Sequence, residues 1–392
     1  MTPPVTPFAL TPLVTPSEAR GLHVSPFVSV RHAEPSDNRA LIDIAAACPM
    51  EGDIALAMTR APDFFQLNRL EGAQWRVGVA EVDSRVVGCV MGAERRTYLH
   101  GVERTTLYTG DLKVHPAFRG TGVADALSEW VRSALAEMAP TDTPVLLTIL
   151  GGNRAMERRT IGRGKVPRFE RFATIRAHSI PLLLPRGFGE TSLHCLRATP
   201  NDIEEMASLW GRIAPTRQFA PVHTADGLAD VIANAPGLEI SDFVLARDSG
   251  GRLLGFLGWW DQSSFKQLRV VRYSPRLQVV RAVMNGVARL TNGVPLPQGG
   301  EQLRYCTAVY VCVPCERPEV LRALIRASYS ELHRARYAFA TIGLDVRDPL
   351  CAALGGLFAQ PTDAHAYVCT PLGDYAGRPL TDRPLYYEIA LV

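Results

Sequence analysis

The chain has 392 residues, of which 47% are hydrophobic and 21% are charged. This composition is typical of a globular protein, and the length predicts two or three domains. The formal net charge of +3 gives no support to a nucleic-acid partner or an anionic membrane partner. No apolar run is as long as a membrane span and no secretory signal is recognised, so we expect a cytoplasmic protein. The eight cysteines lie mostly within apolar segments and are expected to be reduced thiols.

The first half of the chain predicts alternating strands and helices. Residues 1–23, rich in proline and threonine, are expected to form a loosely packed tail. A strand is expected over 28–31, followed by a helix over 41–47 that residues 34–37 cap. Downstream we expect a helix over 54–70 with a break at Pro62, strands over 75–82, 86–93, 107–114, 145–150 and 172–184, a helix over 126–138, and a helical turn from Arg154.

A similar order of elements begins again near residue 190. The predicted elements are strands over 193–198, 243–246, 253–260, 305–313, 339–346, 366–370 and 385–392, and helices over 203–210, which residues 199–202 cap, 274–290, 318–336 and 349–358. Because the order repeats after about 180 residues, the sequence predicts two tandem domains of one fold, at 24–188 and 189–392. The predicted class is α/β (α+β): each domain has a mixed, twisted, mostly antiparallel sheet flanked by helices.

The stretch 107–137 has the features of an anion-binding site. The strand over 107–114 ends at Pro116, and Gly120 and Gly122 lie between this strand and the next helix. Glycines let the backbone turn tightly beside a ligand. The N–H groups of the first helical turn and the helix dipole attract negative charge. The pattern therefore predicts a phosphate or pyrophosphate site.

The same residues resemble a known family. Residues 119–124, Arg-Gly-Thr-Gly-Val-Ala, match the (Arg/Gln)-x-x-Gly-x-(Gly/Ala) signature of the GCN5-related N-acetyltransferases, the GNAT superfamily. Its members bind the pyrophosphate of acetyl-CoA at this signature, which also follows a strand and opens a helix. The resemblance implies the GNAT fold, with acetyl-CoA as the acyl donor and an amine as the acceptor.

The resemblance also implies where the donor would bind. Main-chain groups of Leu112 and Val114 would hold the pantetheine arm and the acyl carbonyl, and Asn153 would bond the pantetheine arm. The pyrophosphate would be held by the main-chain amides of Arg119, Gly120, Thr121, Gly122, Val123 and Ala124.

Acetyl transfer also needs a group that accepts the proton of the attacking ammonium. Asp111 is an acidic residue in an otherwise apolar strand, and such carboxylates are rare unless paired or functional. The position of the glutamate base in histone-acetylating relatives falls on Thr109, which cannot act as a base, and Asp111 lies on the same face. Asp111 is therefore the candidate base. The alternatives are an ion pair with an arginine, a loop cap, or Glu81 as the base.

The general acid departs from the family pattern. Many relatives carry a tyrosine seven residues after the asparagine, which protonates the leaving thiolate. That position is Thr160 here. Tyr108 is the candidate acid; departure of CoA as the thiolate, or weak activity, are the alternatives.

The second half lacks the glycine loop. Residues 313–318, Val-Pro-Cys-Glu-Arg-Pro, stand where the first half has 119–124. The two prolines remove N–H donors, and Glu316 would repel a phosphate. We expect a degenerate domain that supports the first, walls the acceptor pocket or forms an oligomer contact.

Two further sequence patterns are weaker indications of function. Arginines crowd the segment 154–176, which predicts a solvated basic face, with contact to CoA phosphates or an acidic acceptor as the alternative. Cys312 and Cys315 have CxxC spacing without a second ligand pair, so no metal site is expected.

The sequence therefore predicts an N-acetyltransferase that uses acetyl-CoA and acetylates a primary amine of a small molecule or protein by direct attack. A non-catalytic acyl-CoA-binding or regulatory protein and an aminoacyl-tRNA-dependent transferase are the alternatives. We expect no nucleic-acid and no membrane partner, and a homodimer is left open.

Overall fold

A computed structural model of the chain describes residues 27–140, 142–160, 167–183, 193–369 and 380–391. The predicted tail at 1–23 lies outside these residues. In the N-terminal half, residues 27–183, the elements are β1 Ser29–His32, α1 Asn38–Ala47, β2 Ile54–Thr59, β3 Gln74–Val82, β4 Arg85–Leu99, β5 Val102–Val114, α2 Val123–Met138, β6 Val145–Leu150, α3 Arg154–Thr160 and β7 Glu170–Pro181.

The C-terminal half, residues 193–391, follows the same order with insertions. Its elements are β8 His194–Arg197, α4 Ile203–Ile213, β9 Ala220–Pro221, α5 Ala225–Asn234, β10 Phe243–Arg247, β11 Leu253–Trp260, β12 Gln267–Tyr273, α6 Pro275–Leu290, β13 Tyr305–Cys312, α7 Pro318–Arg334, β14 Phe339–Asp345 and β15 Gln360–Cys369. Each half opens with a capping box, at Glu34 and Asp37 in the first and at Thr199 and Asp202 in the second.

The described strands confirm the predicted class of a mixed, mostly antiparallel sheet flanked by helices. One sheet runs through both halves in the order β1-β3-β4-β5-β6-β15-β7-β14-β13-β11-β10-β8, with β9 beside β4. Of the pairs in this sheet, β5–β6 and β13–β14 are parallel. The two predicted sheets are therefore joined into one.

The joint is made by an exchange of strands. β15, from the C-terminal half, pairs with β6, and β7, from the N-terminal half, pairs with β14. β7 and β15 also pair with each other. Residues 184–192, where the predicted boundary between 188 and 189 falls, lie outside the described residues, and that boundary stays a prediction.

A second, two-stranded sheet corrects the predicted helix over 54–70. Ile54–Thr59 is a strand that pairs with β12 of the C-terminal half, and only short 3-10 turns follow, at Phe64–Gln66 and Asn68–Leu70. A strand whose partner lies in the other half leaves no local hairpin signal in the sequence.

Two predictions at the C-terminal end are also wrong. Only a 3-10 turn, Pro349–Leu354, forms within the predicted helix over 349–358. Instead of a strand over 385–391, Leu385 makes a single bridge to Gln218, and Ile389–Leu391 is a 3-10 turn. The position of Val392 lies outside the described residues.

Helix α2 is seated closely on the sheet. Its buried residues recur at helical spacing and contact β3, β4 and β5: Val123, Leu127, Val131, Leu135 and Met138. Gly78 of β3 makes this contact possible, because a Cβ there would lie 2.4 Å from the ring of Trp130. The close packing fixes the N-terminus of α2 beside the end of β5. None of the described helices is both long and apolar enough to cross a membrane.

Candidate acyl-CoA site

The loop before α2 has the geometry that the glycines predict. Gly120 and Gly122 have φ values of +82° and +89°, which side chains disfavour, and Gly122 is the N-cap of the helix. No side chain caps this end of α2. A Cβ at either glycine would meet nothing within 4 Å, so the space beside both glycines is empty. The hydroxyl of Thr121 donates to the carbonyl of Phe118 at 2.7 Å, and this bond stabilises the turn of the loop.

The loop faces a cleft that forms where two parallel strands separate. β5 and β6 pair only from Leu107↔Val145 to Thr109↔Leu147. Beyond that point β5 has a bulge, in which Asp111 has a φ of +54°. The cleft has a volume of about 2010 Å³. Such a V-shaped opening lets an extended molecule lie between the strands and reach the helix N-terminus.

Most of the predicted donor-site residues line this cleft. They are Leu112, Val114, Arg119, Gly120, Gly122, Ala124 and Asn153. Val123 is instead buried in the core beneath α2. Asn153 ends the turn after β6, and its side-chain oxygen accepts from the N–H of Met156 at 3.3 Å, which caps α3. The roles of these residues in binding stay predictions.

Asp111 lies in a buried ion-pair network. Its carboxylate contacts the guanidinium of Arg60 and the ammonium of Lys113. Arg60 is 2% exposed, and its guanidinium also donates to the side chain of Asn68 at 2.9 Å. Burial alone would raise the pKa of Asp111, but Lys113 and Arg60 outweigh it and hold the pKa below its ordinary value. A carboxylate with so low a pKa accepts a proton poorly, so the geometry matches the ion-pair alternative more closely than the predicted base.

Tyr108, also on β5, lies in a cluster of hydroxyl groups. Its hydroxyl is 3.1 Å from that of Tyr387, which in turn is 2.6 Å from the hydroxyl of Thr148. All three residues line the cleft. Burial and the nearby Glu71 carboxylate raise the pKa of Tyr108, so this hydroxyl holds its proton and can act as a donor. Its assignment as the general acid stays a prediction.

The chain is similar in structure to known acyltransferases. It matches a GCN5-related N-acetyltransferase from Sphaerobacter thermophilus with a TM-score of 0.56 and 15% identity, covering 89% of this chain and 97% of that one. It matches an N-myristoyltransferase from Saccharomyces cerevisiae, with bound myristoyl-CoA, with a TM-score of 0.58 and 11% identity, covering 91% and 86%. The chain has the GNAT fold. No protein-family model matches the sequence, and a search of curated proteins gives no match.

Within the GNAT fold, Thr160 cannot replace the tyrosine that many members carry at this point. It is fully buried, and its hydroxyl donates to the carbonyl of Glu157 at 2.7 Å. Its own carbonyl accepts from the N–H of Phe169 at 2.7 Å. Thr160 therefore closes the end of α3 and does not reach the cleft.

The C-terminal half contributes two groups to the cleft that no sequence pattern predicts. One is Tyr387, described above. The other is Lys266, which is 4% exposed, lines the cleft and donates to the carbonyl of Ala390 at 2.9 Å. Burial and Arg60 lower the pKa of Lys266 to about 7. No local motif marks either residue, because both belong to the C-terminal half and reach the site through contacts between residues distant in sequence.

The crowded arginines of 154–176 are divided between two roles. Arg154, Arg158 and Arg159 line the cleft, and Arg159 also pairs with Asp125 of α2 at 2.6 Å. Arg176 instead pairs with Asp363 across β7 and β15 at 2.7 Å. Residues 163 and 165 lie outside the described residues. The predicted solvated basic face is therefore partly cleft wall and partly strand pairing.

Proposed function

We propose that the protein transfers an acyl group from acyl-CoA to a primary amine of a small molecule or protein. One observation carries the proposal: Gly120 and Gly122 open the uncapped N-terminus of α2 into the cleft between β5 and β6. Backbone amides and the helix dipole there would bind the pyrophosphate. The gap between the strands would hold the pantetheine arm.

In the proposed reaction the neutral amine attacks the thioester carbonyl, a C–N bond forms and the C–S bond breaks, which gives an amide and the CoA thiolate. The nitrogen loses one proton in this step, and the thiolate takes up one proton to give the free thiol. The cleft offers the hydroxyl groups of Tyr108 and Tyr387 as proton donors to that thiolate. Lys266, with a pKa of about 7, is a group in the cleft wall that can lose or gain a proton near neutrality. Asp111, paired twice, serves to hold Arg60 and Lys113 in place.

Acetyl-CoA is the proposed donor, and acyl-CoA donors with longer chains should be tested beside it. The cleft is much larger than an acetyl group requires, at about 2010 Å³. Apolar side chains line its wall, including Val90, Val131, Leu135, Val145 and Leu147. One of the similar structures is an N-myristoyltransferase with myristoyl-CoA bound.

A non-catalytic acyl-CoA-binding protein is the second candidate. It is favoured by the ion pairs that hold Asp111 charged and by the burial of Thr160. The two functions share the donor site and differ in turnover. The test is incubation with acetyl- to myristoyl-CoA and a panel of primary amines, followed by mass spectrometry of the products. An acylated amine supports the transferase; binding without any product supports the second candidate; the absence of both rejects the proposal.

A further inference from the structure

Helix α6, Pro275–Leu290, presents an apolar stripe to solvent. Val279, Val283 and Leu290 are 67%, 64% and 88% exposed. They follow one another at helical spacing, with Gly286 between them, so they form one continuous strip on one side of the helix. Within α6 only Ala288 is buried. The helix therefore leaves its most apolar side uncovered.

The orientation of α6 is fixed by polar contacts on its other side. The guanidinium of Arg281 donates to the carbonyl of Leu296 at 3.2 Å and to that of Pro297 at 3.0 Å. The side chain of Asn285 donates to the same carbonyl of Leu296 at 3.1 Å and accepts from the N–H of Leu296 at 2.6 Å. Met284 and Ala288 pack inward on the same side as these bonds, so the orientation is fixed and the apolar stripe faces outward as a second apolar side.

The surface around the stripe is strongly basic. Residues 262–300 contain no acidic residue, and four of their arginines are exposed, Arg269, Arg272, Arg276 and Arg289. Arg276 and Arg289 are exposed and border the stripe on its two sides. On the neighbouring strand β12, Arg269 and Arg272 are also exposed, and Arg272 pairs with Glu51.

We infer that α6 docks on the surface of an anionic lipid bilayer, with the stripe in the acyl region and the arginines at the headgroups. An exposed apolar strip bordered by arginines, on a helix with no acidic residue of its own, is the pattern of helices that lie in this interface. A second copy of the chain is a poorer occupant, because packing two stripes together would bring the same cations against each other. The net charge of the whole chain, +3, predicts no membrane partner. It does not reveal that exposed positive charge is concentrated around α6.

The inference is tested by sedimentation of the full chain with vesicles, independently of any acyl transfer. Phosphatidylcholine vesicles that contain phosphatidylglycerol are expected to carry the protein into the pellet, and pure phosphatidylcholine vesicles are expected to bind it much more weakly. Each of Arg276→Gln and Arg289→Gln is expected to weaken binding to the anionic vesicles about fivefold. Failure of the wild type to sediment with anionic vesicles would overturn the inference.

Val283→Asp is expected to abolish binding, since it places a charge in the centre of the stripe. Val102→Asp is the matched control: Val102 is 52% exposed at the hairpin between β4 and β5, and this variant is expected to bind like the wild type. Circular dichroism of both variants checks that they fold. Equal binding by Val283→Asp and the wild type contradicts the inference. So does a dimer that forms without lipid and is lost in Val283→Asp, because the stripe would then be covered by a second copy.

Discussion

Asp111 and Tyr310 occupy the same position in the two halves. Each is the bulged residue of the strand that precedes the long helix, with φ values of +54° and +52°. In the first half the bulge opens the cleft. In the second half the N–H of Tyr310 donates to the carboxylate of Glu388 at 3.0 Å, and the cavity there measures only about 20 Å³. The N–H at the second bulge is therefore bonded to a side chain of the protein itself.

Glu388 is therefore expected to contribute to stability and not to acyl-CoA binding. At about pH 4.5, Glu388→Ala would leave the N–H of Tyr310 and the hydroxyl of Tyr386 without their acceptor, at a cost of about 2 kcal/mol. Urea denaturation measures this cost, and calorimetric titration with acyl-CoA should give wild-type affinity. A variant with full stability and weakened acyl-CoA binding would contradict this assignment.

The charge of Glu388 should also make stability depend on pH. Burial raises the pKa of Glu388 from 4.5 to about 7, so the folded state holds this proton more tightly than the unfolded chain. Its contribution is present below pH 4.5 and is lost as the pH rises to about 7. Glu388→Gln removes the titration, so its free energy of unfolding should change less than that of the wild type between about pH 5 and about pH 7. Parallel pH profiles of the two proteins would be the contrary result.

Lys266 should make the free energy of unfolding rise with pH, the opposite of Glu388, and should do so over a higher pH range. Burial lowers its pKa from 10.5 to about 7, so the unfolded chain holds this proton more tightly. The cost of burying the ammonium is full below about pH 7 and fades as the pH rises toward 10.5. Lys266→Met should stabilise the protein at about pH 6 and much less at about pH 10. Urea denaturation at both pH values tests this, and a gain that is equal at both contradicts it.

Asp111→Asn is expected to destabilise the protein by about 3 kcal/mol, because it leaves Arg60 and Lys113 as uncompensated buried cations. The exposed pair of Arg39 and Asp43 supplies the control. Asp43→Asn should cost about 0.5 kcal/mol or less. Equal urea midpoints for the two variants would show that the Asp111 network does not stabilise the fold.

The exchange of β7 and β15 predicts that neither half folds alone. A fragment ending at residue 188 would leave β6 without β15, and a fragment starting at 189 would leave β14 without β7. Unpaired strands expose apolar edges, so each fragment should aggregate when expressed separately. When both are expressed together, a tag on one should recover both in a folded complex. Cooperative unfolding of either fragment by itself would contradict the coupling.

Local signals were predictable from the sequence, and long-range pairings were not. The cap at Asp37, the glycine turn at Gly122 and the amphipathic spacing of α2 depend on neighbours in the chain, and the structure contains all three. The sequence of β2 predicts a helix, and this prediction is wrong because the strand that pairs with β2, β12, lies in the other half of the chain. For the same reason no local pattern predicts that Lys266 faces the cleft.

Binding of acyl-CoA at the glycine loop is tested most directly by calorimetric titration with acetyl-CoA. Gly122→Glu would place a carboxylate in the expected pyrophosphate site. Gly251→Glu is the matched control, because Gly251 also has a positive φ, +83°, and open space, but lies in the turn between β10 and β11. The wild type and Gly251→Glu should bind alike, and Gly122→Glu should bind at least about tenfold more weakly. A wild type that does not bind, or a Gly122→Glu variant that binds equally well, would contradict the account.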